Sequence, residues 1–219
     1  MAAGVFSLLG TKRFTPYFIT QAFGAFNDNL FKQGILLLFT YVMVSDQSEL
    51  LINLAAGLFI LPFFIFSPLA GQLADKYEKS RLIQRIKIAE ICLMSLGAVA
   101  FIGQSKELLL LLLFLMGVQS AMFGPVKYSI LPQHLKPTEL LAGNALVEMG
   151  TFLAILFGTI LAGLFFKLSA GDWLISGGVI LFAILGYLSS RRIPVSTPAN
   201  PGIKINLNPL TEILKTVNN

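Results

Sequence analysis

Charged residues are scarce in this 219-residue chain. They make up 12% of it, while hydrophobic residues make up 55%, and a soluble domain averages roughly 25% charged residues. This shortage excludes an ordinary soluble domain and predicts an integral membrane protein. Basic residues outnumber acidic ones by 16 to 11, but they do not gather on one soluble face with aromatic platforms. Nucleic acid is therefore not an expected partner.

Cysteine and histidine are nearly absent. The single cysteine, Cys92, has no partner for an internal disulfide. The single histidine, His134, has no cysteine or acid at the spacing of a metal site. The sequence also lacks the usual phosphate-binding glycine loop and a serine in a nucleophile elbow. We therefore expect a protein that is not an enzyme and that uses neither a metal nor a cofactor.

Long hydrophobic runs dominate what is present. Six of them are close to or above the ~20 residues that a helix needs to cross ~30 Å of hydrocarbon. Each must be a helix, because a lone strand cannot satisfy its backbone in lipid. The predicted spans are 14–44, 50–73, 82–102, 108–131, 140–166 and 173–188.

These spans predict an all-α membrane protein in which residues 1–190 form a six-helix transmembrane domain. Residues 191–219 then form a polar linker that ends in a short amphipathic helix opening at Asn208. Six spans and such a linker are half of a common transporter architecture, in which each half holds two inverted three-helix repeats. We expect a second six-helix half beyond residue 219, and the alternative is a six-span protein that dimerises.

The distribution of lysine and arginine predicts the orientation in the membrane. One set of connections holds only Lys106 and Lys167, whereas the other set and the termini hold most of the basic residues. The basic residues between or beside the second and third spans are Lys76, Lys79, Arg81, Arg85 and Lys87. Under the positive-inside rule both termini are cytoplasmic.

Polar residues interrupt the first span, which reads "FGAFNDNLFKQ" over residues 23–33. Gln21, Gly24, Asp28 and Lys32 share one face of a helix over about 16 Å. A charge at mid-bilayer costs ~2.5 to 3.5 kcal/mol on insertion scales. Asp28 and Lys32 should therefore point into the helix bundle or a wet cavity and partly neutralise each other.

Two roles remain open for these charges. One is a structural ion pair that fixes helix packing. The other is a site for a zwitterionic head group, with Asp28 at its ammonium and Lys32 at its phosphate. Asn27 and Asn29 would then supply neutral hydrogen bonds on neighbouring faces.

The fourth span is the inverted-repeat counterpart of the first, and it ends in "GPVKY". Pro125, which follows Gly124, removes a backbone donor and frees a carbonyl, so a bend or gate is expected there. Lys127 is either a positive-inside anchor or a contact for a gate or a phosphate, and Tyr128 adds a hydroxyl beside it. Glu148 is the only acid of the fifth span and is a candidate partner for Lys127 or for the region of Asp75.

The loop after the second span reads "GQLADKYEKSR" over residues 71–81 and resembles the cytoplasmic motif of the major facilitator superfamily. The matching positions include Gly71, Asp75, Lys76 and Lys79, while Glu78 stands where that motif has glycine. A glycine at 71 permits close helix approach, and Asp75 is suited to capping a helix and pairing with nearby cations. The resemblance implies a latch that stabilises one conformation of a transporter, and the alternative is a basic turn with a helix cap.

Four stretches in order carry a more specific resemblance: "FGAFNDNLFK", "GQLADKYEK", "FGPVKYSILP" and "GNALVEMGTFLAILFG". Together they resemble the lysophospholipid transporter family of bacterial inner membranes, which includes forms that precede an acyltransferase in one polypeptide. The resemblance implies a multi-pass protein that flips lysophospholipid, chiefly lysophosphatidylethanolamine, from the outer to the inner leaflet for reacylation. It also implies membrane lipids, a C-terminal half and an acyltransferase as partners.

The same residues also bear on other functions. The fourth span has no arginine and the fifth has no Gly-Pro pair, which are features of proton-driven drug exporters, so a drug exporter is disfavoured. The alternatives are a transporter of a small polar solute and a non-transporting anchor for an acyltransferase. A lipid needs a side opening between helices and a solute needs only an axial cavity, a difference that the sequence leaves open.

Overall fold

A computed structural model describes residues 4–43 and 48–206. Within these ranges the chain is helical and has no β-strand, which confirms the expected all-α class. The described residues form six long α-helices, one short α-helix and two 3₁₀ segments. The helices are α1 (Thr15–Tyr41), α2 (Ser48–Lys76), α3 (Lys79–Ile102), α4 (Lys106–Ser129), α5 (Leu131–His134), α6 (Leu140–Phe166) and α7 (Gly171–Ser190).

The boundaries of the six long helices lie within three residues of those of the six predicted apolar runs. By length and composition, four of them are suited to crossing a membrane: α2, α4, α6 and α7. Helices α1 and α3 carry the buried polar residues described below, and their role as spans remains a prediction. The amphipathic helix expected from Asn208 lies outside the described residues.

Helix α1 lies at the centre of the bundle. It packs mainly against α6 and α7, while α2 packs against α4 and α3 packs against both α7 and α4. At the contact with α6, a Cβ on Gly158 would lie 2.6 Å from the Phe26 carbonyl oxygen. Only glycine therefore allows the two backbones to approach this closely. The close contact holds α1 against α6.

The segment after α7 lies across the end of the bundle where α2 ends and α3 begins. Ile193 and Ser196 are buried there, and the backbone N–H of Asn200 donates to the Asp75 carbonyl over 2.8 Å. Further along, the Asn206 N–H donates to Gln72 Oε1 over 2.6 Å. We call residues 191–206 the strap, because they join the ends of several helices.

Candidate functional site

The polar face of α1 borders a cavity of about 300 Å³ inside the bundle. Five of the long helices contribute to it. The lining residues are Gln21, Gly24, Ala25, Asp28, Phe63, Lys87, Glu90, Gln119, Ser120, Phe123, Gly124, Lys127, Tyr128 and Thr151. Its charged groups divide into an acidic end around Asp28 and a basic end around Lys127.

A buried ion pair forms part of the acidic end. Lys87 Nζ lies 2.6 Å from Glu90 Oε2, and both side chains are only 1% exposed. The Glu90 carboxylate also accepts hydrogen bonds from Asn27 Nδ2 (3.1 Å) and Gln119 Nε2 (3.3 Å). Glu90 is therefore held by donors from three helices, and its charge is compensated inside the bundle.

Asp28 has a different environment. Its Oδ2 accepts a hydrogen bond from Ser120 Oγ over 2.6 Å, whereas its Oδ1 is buried and has no hydrogen-bond partner among the described residues. A buried acceptor without a donor is costly, since it has lost its water and gained nothing in return. Asp28 is therefore a carboxylate with unused capacity for a donor or a cation.

Asp28 and Lys32 do not form the expected ion pair within the described residues. Lys32 Nζ lies 4.9 Å from the centre of the Phe59 ring on α2, and Lys32 is absent from the cavity lining. Helical spacing places two residues on one face but does not set the direction of a long side chain. Here the lysine turns towards α2, and Asp28 is bonded to α4.

The basic end joins α1, α4 and α6. Lys127 Nζ lies 2.8 Å from Thr151 Oγ1, and that hydroxyl lies 3.0 Å from Gln21 Oε1. Glu148 Oε1 is 3.8 Å from Lys127 Nζ and accepts a hydrogen bond from the Tyr128 hydroxyl. The four predicted residues Gln21, Lys127, Tyr128 and Glu148 therefore lie together, with Lys127 as the cation that reaches the cavity.

The two asparagines predicted as head-group contacts lie elsewhere. Asn27 is fully buried and donates to Glu90. Asn29 donates to the Ala25 carbonyl of its own helix over 2.7 Å, and its Cβ lies close to the position that a Cβ on Gly158 would take. Neither lines the cavity. Asn27 supports the acidic end from behind, and Asn29 belongs to the contact with α6.

Sequence reasoning missed Lys87, Glu90, Gln119, Ser120 and Thr151. The positive-inside pattern places Lys87 among the cytoplasmic cations, but its side chain lies in the interior with 1% exposure. A signal was present, because Lys87 and Glu90 are three residues apart in an otherwise apolar span, the same pattern that drew attention to Asp28. The neutral residues carry no comparable signal.

The residues of the loop motif take different roles from those expected. The Glu78 carboxylate, and not that of Asp75, caps α3 by accepting from the N–H groups of Ser80 and Arg81 over 2.8 Å each. Asp75 is exposed, and its carbonyl holds the strap. Nothing lies within 4 Å of a Cβ built on Gly71, so no close helix contact explains that glycine in the described residues.

Two lysines of the motif flank this cap. Lys76 ends α2. Lys79 begins α3, is 1% exposed, and its Nζ has no hydrogen-bond partner among the described residues.

At the predicted gate, α4 continues through Pro125 to Ser129, and nothing lies within 4 Å of a Cβ on Gly124. The described ranges contain no group of three or more His, Cys, Asp or Glu that could hold a metal ion.

Comparison with known proteins adds a family and several relatives. The sequence profile of the Major Facilitator Superfamily matches residues 14–217. A protein of Pectobacterium carotovorum named lysophospholipid transporter LplT is 28% identical over 190 residues, which are 84% of this chain and 42% of that protein. Its namesake in Serratia proteamaculans is 28% identical over 82% of this chain and 43% of its own length. The protein of the same name in Salmonella heidelberg is 26% identical over 88% of this chain and 46% of its own length. The chain therefore spans less than half the length of these relatives.

Proposed function

Because this chain belongs to the Major Facilitator Superfamily, we propose that it forms one half of a secondary transporter for lysophospholipids. The observation that carries the proposal is the cavity with an acidic end at Asp28 and a basic end at Lys127. A head group that bears both an ammonium and a phosphate needs both ends at once. The names of the relatives point to the same substrate class.

The separation of the two ends suits such a head group. Gln21, which is linked to Lys127 through Thr151, lies two helical turns from Asp28, or about 11 Å along α1. Two charge-assisted hydrogen bonds of about 2.8 Å each would leave roughly 5 Å between the head-group charges. An ammonium and a phosphate joined by a two-carbon linker span such a distance. This spacing along α1 supports lysophosphatidylethanolamine as the substrate, and the proposal gives Lys127 the phosphate role.

The chemistry of binding follows from the unused oxygen of Asp28. An ammonium placed at Oδ1 would supply the donor that the described residues lack, so the substrate would compensate the desolvation cost of that oxygen. At the other end, Lys127 has Thr151 and Glu148 as present partners. A phosphate would compete with Glu148 for Lys127, which makes the Glu148–Tyr128 pair a candidate gate.

The remaining parts of the proposal concern the cellular setting. Lysophospholipid moves from the outer to the inner leaflet of the bacterial inner membrane, where an acyltransferase domain or protein reacylates it. A second six-helix half completes the transporter, and both termini of the present chain face the cytoplasm. The motif around Asp75, Lys76 and Lys79 contributes to the latch between conformations.

The test is leaflet-resolved uptake of labelled lysophosphatidylethanolamine by the full-length protein in proteoliposomes. Asp28→Asn keeps the size of the side chain but removes its charge, so we expect uptake to fall at least tenfold, in line with the ~1.5 to 3 kcal/mol of a charged hydrogen bond. Glu107→Gln is the matched control, because that carboxylate is 77% exposed. Full uptake by Asp28→Asn would refute the head-group site. A folded wild-type protein that moves no lysophospholipid would refute the function.

A further inference from the structure

A groove of about 460 Å³ runs along the surface of the bundle between α3 and α4. On α3 its lining includes Arg85, Ala89 and Cys92, and on α4 it runs from Leu115 to Met122. Each of these stretches covers seven residues, or about 10 Å of helix. Ala89 and Cys92 are exposed, so the groove opens to the outside of the bundle. We call it the α3–α4 groove.

The groove is apolar along its length but has a basic end. Arg85 lines both the groove and a smaller pocket of about 130 Å³ at the start of α3. The smaller pocket is also lined by Arg81, Tyr77 and Glu78. Because Arg81 and Arg85 are four residues apart, they lie on one face of the helix about 6 Å from each other along its axis. Arg85 thus joins a polar pocket to an apolar groove.

The two arginines have little compensation for their charge. Arg85 is exposed and makes no hydrogen bond or ion pair with any described residue. Arg81 Nε lies 3.9 Å from Glu78 Oε2, but the arginine side chain is 76% exposed, and such ion pairs are weak. Glu78 is the single acid among the described residues that line the pocket. Its oxygens already accept hydrogen bonds from Ser80, the Arg81 backbone and Ser196.

An apolar groove that ends at two arginines is complementary to a phospholipid. The groove matches an acyl chain, and guanidinium groups bind phosphate oxygens in pairs. Basic pockets beside spans on the cytoplasmic side are suited to anionic head groups, and the positive-inside rule gives this end of the bundle that side. Tyr77, which is 41% exposed at the same pocket, is a residue type enriched at the head-group level.

We propose that the α3–α4 groove binds one anionic phospholipid, with an acyl chain along the groove and its phosphate at Arg81 and Arg85. This lipid is a resident of the protein and not its substrate, so the inference goes beyond the proposed function. Gln119 lines both the groove and the central cavity and donates to Glu90. The bound chain therefore lies against the wall of the central cavity.

The first experiment measures lipid retention by the full-length protein in native mass spectrometry. The protein is incubated with equal amounts of phosphatidylglycerol, phosphatidylethanolamine and lysophosphatidylglycerol, and we expect it to retain one phosphatidylglycerol in preference to the others. Arg81→Gln with Arg85→Gln should lower this retention at least tenfold, the equivalent of one charged hydrogen bond. Arg191→Gln, at another exposed arginine, is the matched control. Equal retention by the two proteins, or preferred retention of either other lipid, overturns the proposal.

Cys92 reports on the groove without a change to the arginines. The rate of its alkylation by N-ethylmaleimide is read from the peptide that carries it. At ten times the dissociation constant of phosphatidylglycerol, the groove is free in about one protein in eleven, so alkylation should slow about tenfold. An unchanged rate would mean that no chain covers the thiol. A thiol that is unreactive even without lipid would mean that another part of the full-length protein covers the groove, and either result overturns the proposal.

Filling the groove tests the position of the acyl chain. Ala89→Trp places a ring in the groove and keeps both arginines, so it should lower retention of phosphatidylglycerol at least tenfold, like the arginine variant. Val99→Trp places the same ring on α3 at a position that is 68% exposed and outside the groove, and it should retain the lipid. Equal retention by the two tryptophan variants contradicts a chain in the groove, and the Cys92 measurement answers if Ala89→Trp does not fold. A wild-type protein that retains phosphatidylglycerol but moves no lysophospholipid refutes the transport function alone.

Discussion

At the scale of single residues, the contacts of the charged side chains around the cavity do not follow from their spacing in the sequence. Asp28 and Lys32 are one helical turn apart, but Asp28 bonds to Ser120 and Lys32 lies over Phe59. Lys127, three residues after Gly124 in α4, reaches the cavity. The two lysines are therefore expected to differ in importance for transport.

Substitution of these lysines tests that difference. Lys127→Met removes the cation at the basic end and should lower uptake of lysophosphatidylethanolamine about tenfold or more, the value of one charged hydrogen bond. Lys32→Met keeps an apolar chain over Phe59 and should lower uptake less than threefold. The measurement is initial uptake in proteoliposomes at equal protein density. Equal losses in the two variants would contradict the assignment of the phosphate role to Lys127 alone.

At the scale of elements, the start of α3 and the strap are held by one carboxylate. Glu78 accepts from the backbone of Ser80 and Arg81 and also from the N–H and hydroxyl of Ser196, the last two over 2.9 Å each. Partial burial acts to raise the pKa of Glu78. Hydrogen bonds from Ser196, Ser80 and the Arg81 backbone N–H outweigh this effect and lower the pKa to about 2. The carboxylate thus joins a helix start to the linker.

The low pKa of Glu78 predicts a pH dependence of stability. A carboxyl whose pKa is lower in the folded protein stabilises the fold above its ordinary pKa of 4.5, and this contribution is lost as the pH falls from 4.5 towards 2. Glu78→Gln should lower the free energy of unfolding by about 1 kcal/mol at neutral pH, as for loss of a helix cap. Thermal unfolding in detergent should show the gap from wild type closing as the pH falls. A gap that stays constant with pH would contradict the role of the charge, and Glu107→Gln is the control.

The contact between α1 and α6 gives a second prediction for an element. Gly158→Ala places a Cβ 2.6 Å from the Phe26 carbonyl oxygen, so the helices must separate at a cost of about 1–3 kcal/mol. Gly163→Ala, in the same helix, meets nothing within 4 Å and should be neutral or slightly stabilising, because alanine favours helix. The measurement is thermal unfolding in detergent. Similar stability of the two variants would contradict the close packing.

At the scale of the whole molecule, the surface of the bundle is apolar along its length. Large side chains such as Phe64, Phe152 and Leu156 are more than half exposed, a pattern that suits lipid or a second helical half and not water. The basic residues lie mainly in one set of connections. Together these features predict both the membrane setting and its orientation.

Cysteine labelling tests the orientation in intact cells. Cys92 is exposed and is replaced first by serine. A membrane-impermeant thiol reagent should then label Lys106→Cys from the periplasm but should not label Thr138→Cys until the cells are opened, because the positive-inside rule places residue 138 in the cytoplasm. Labelling of both positions in intact cells, or of only the second, would contradict the orientation.

The sequence by itself determined the class of the protein, the six long helices and the presence of a polar face on α1. These features depend on local composition and helical period, which need no knowledge of neighbours. Only the tertiary structure decided which charges meet: Lys87 with Glu90, Asp28 with Ser120, and Glu78 with Ser196. Those partners are far apart in the chain or depend on the direction of a long side chain, and both are set by how the helices pack.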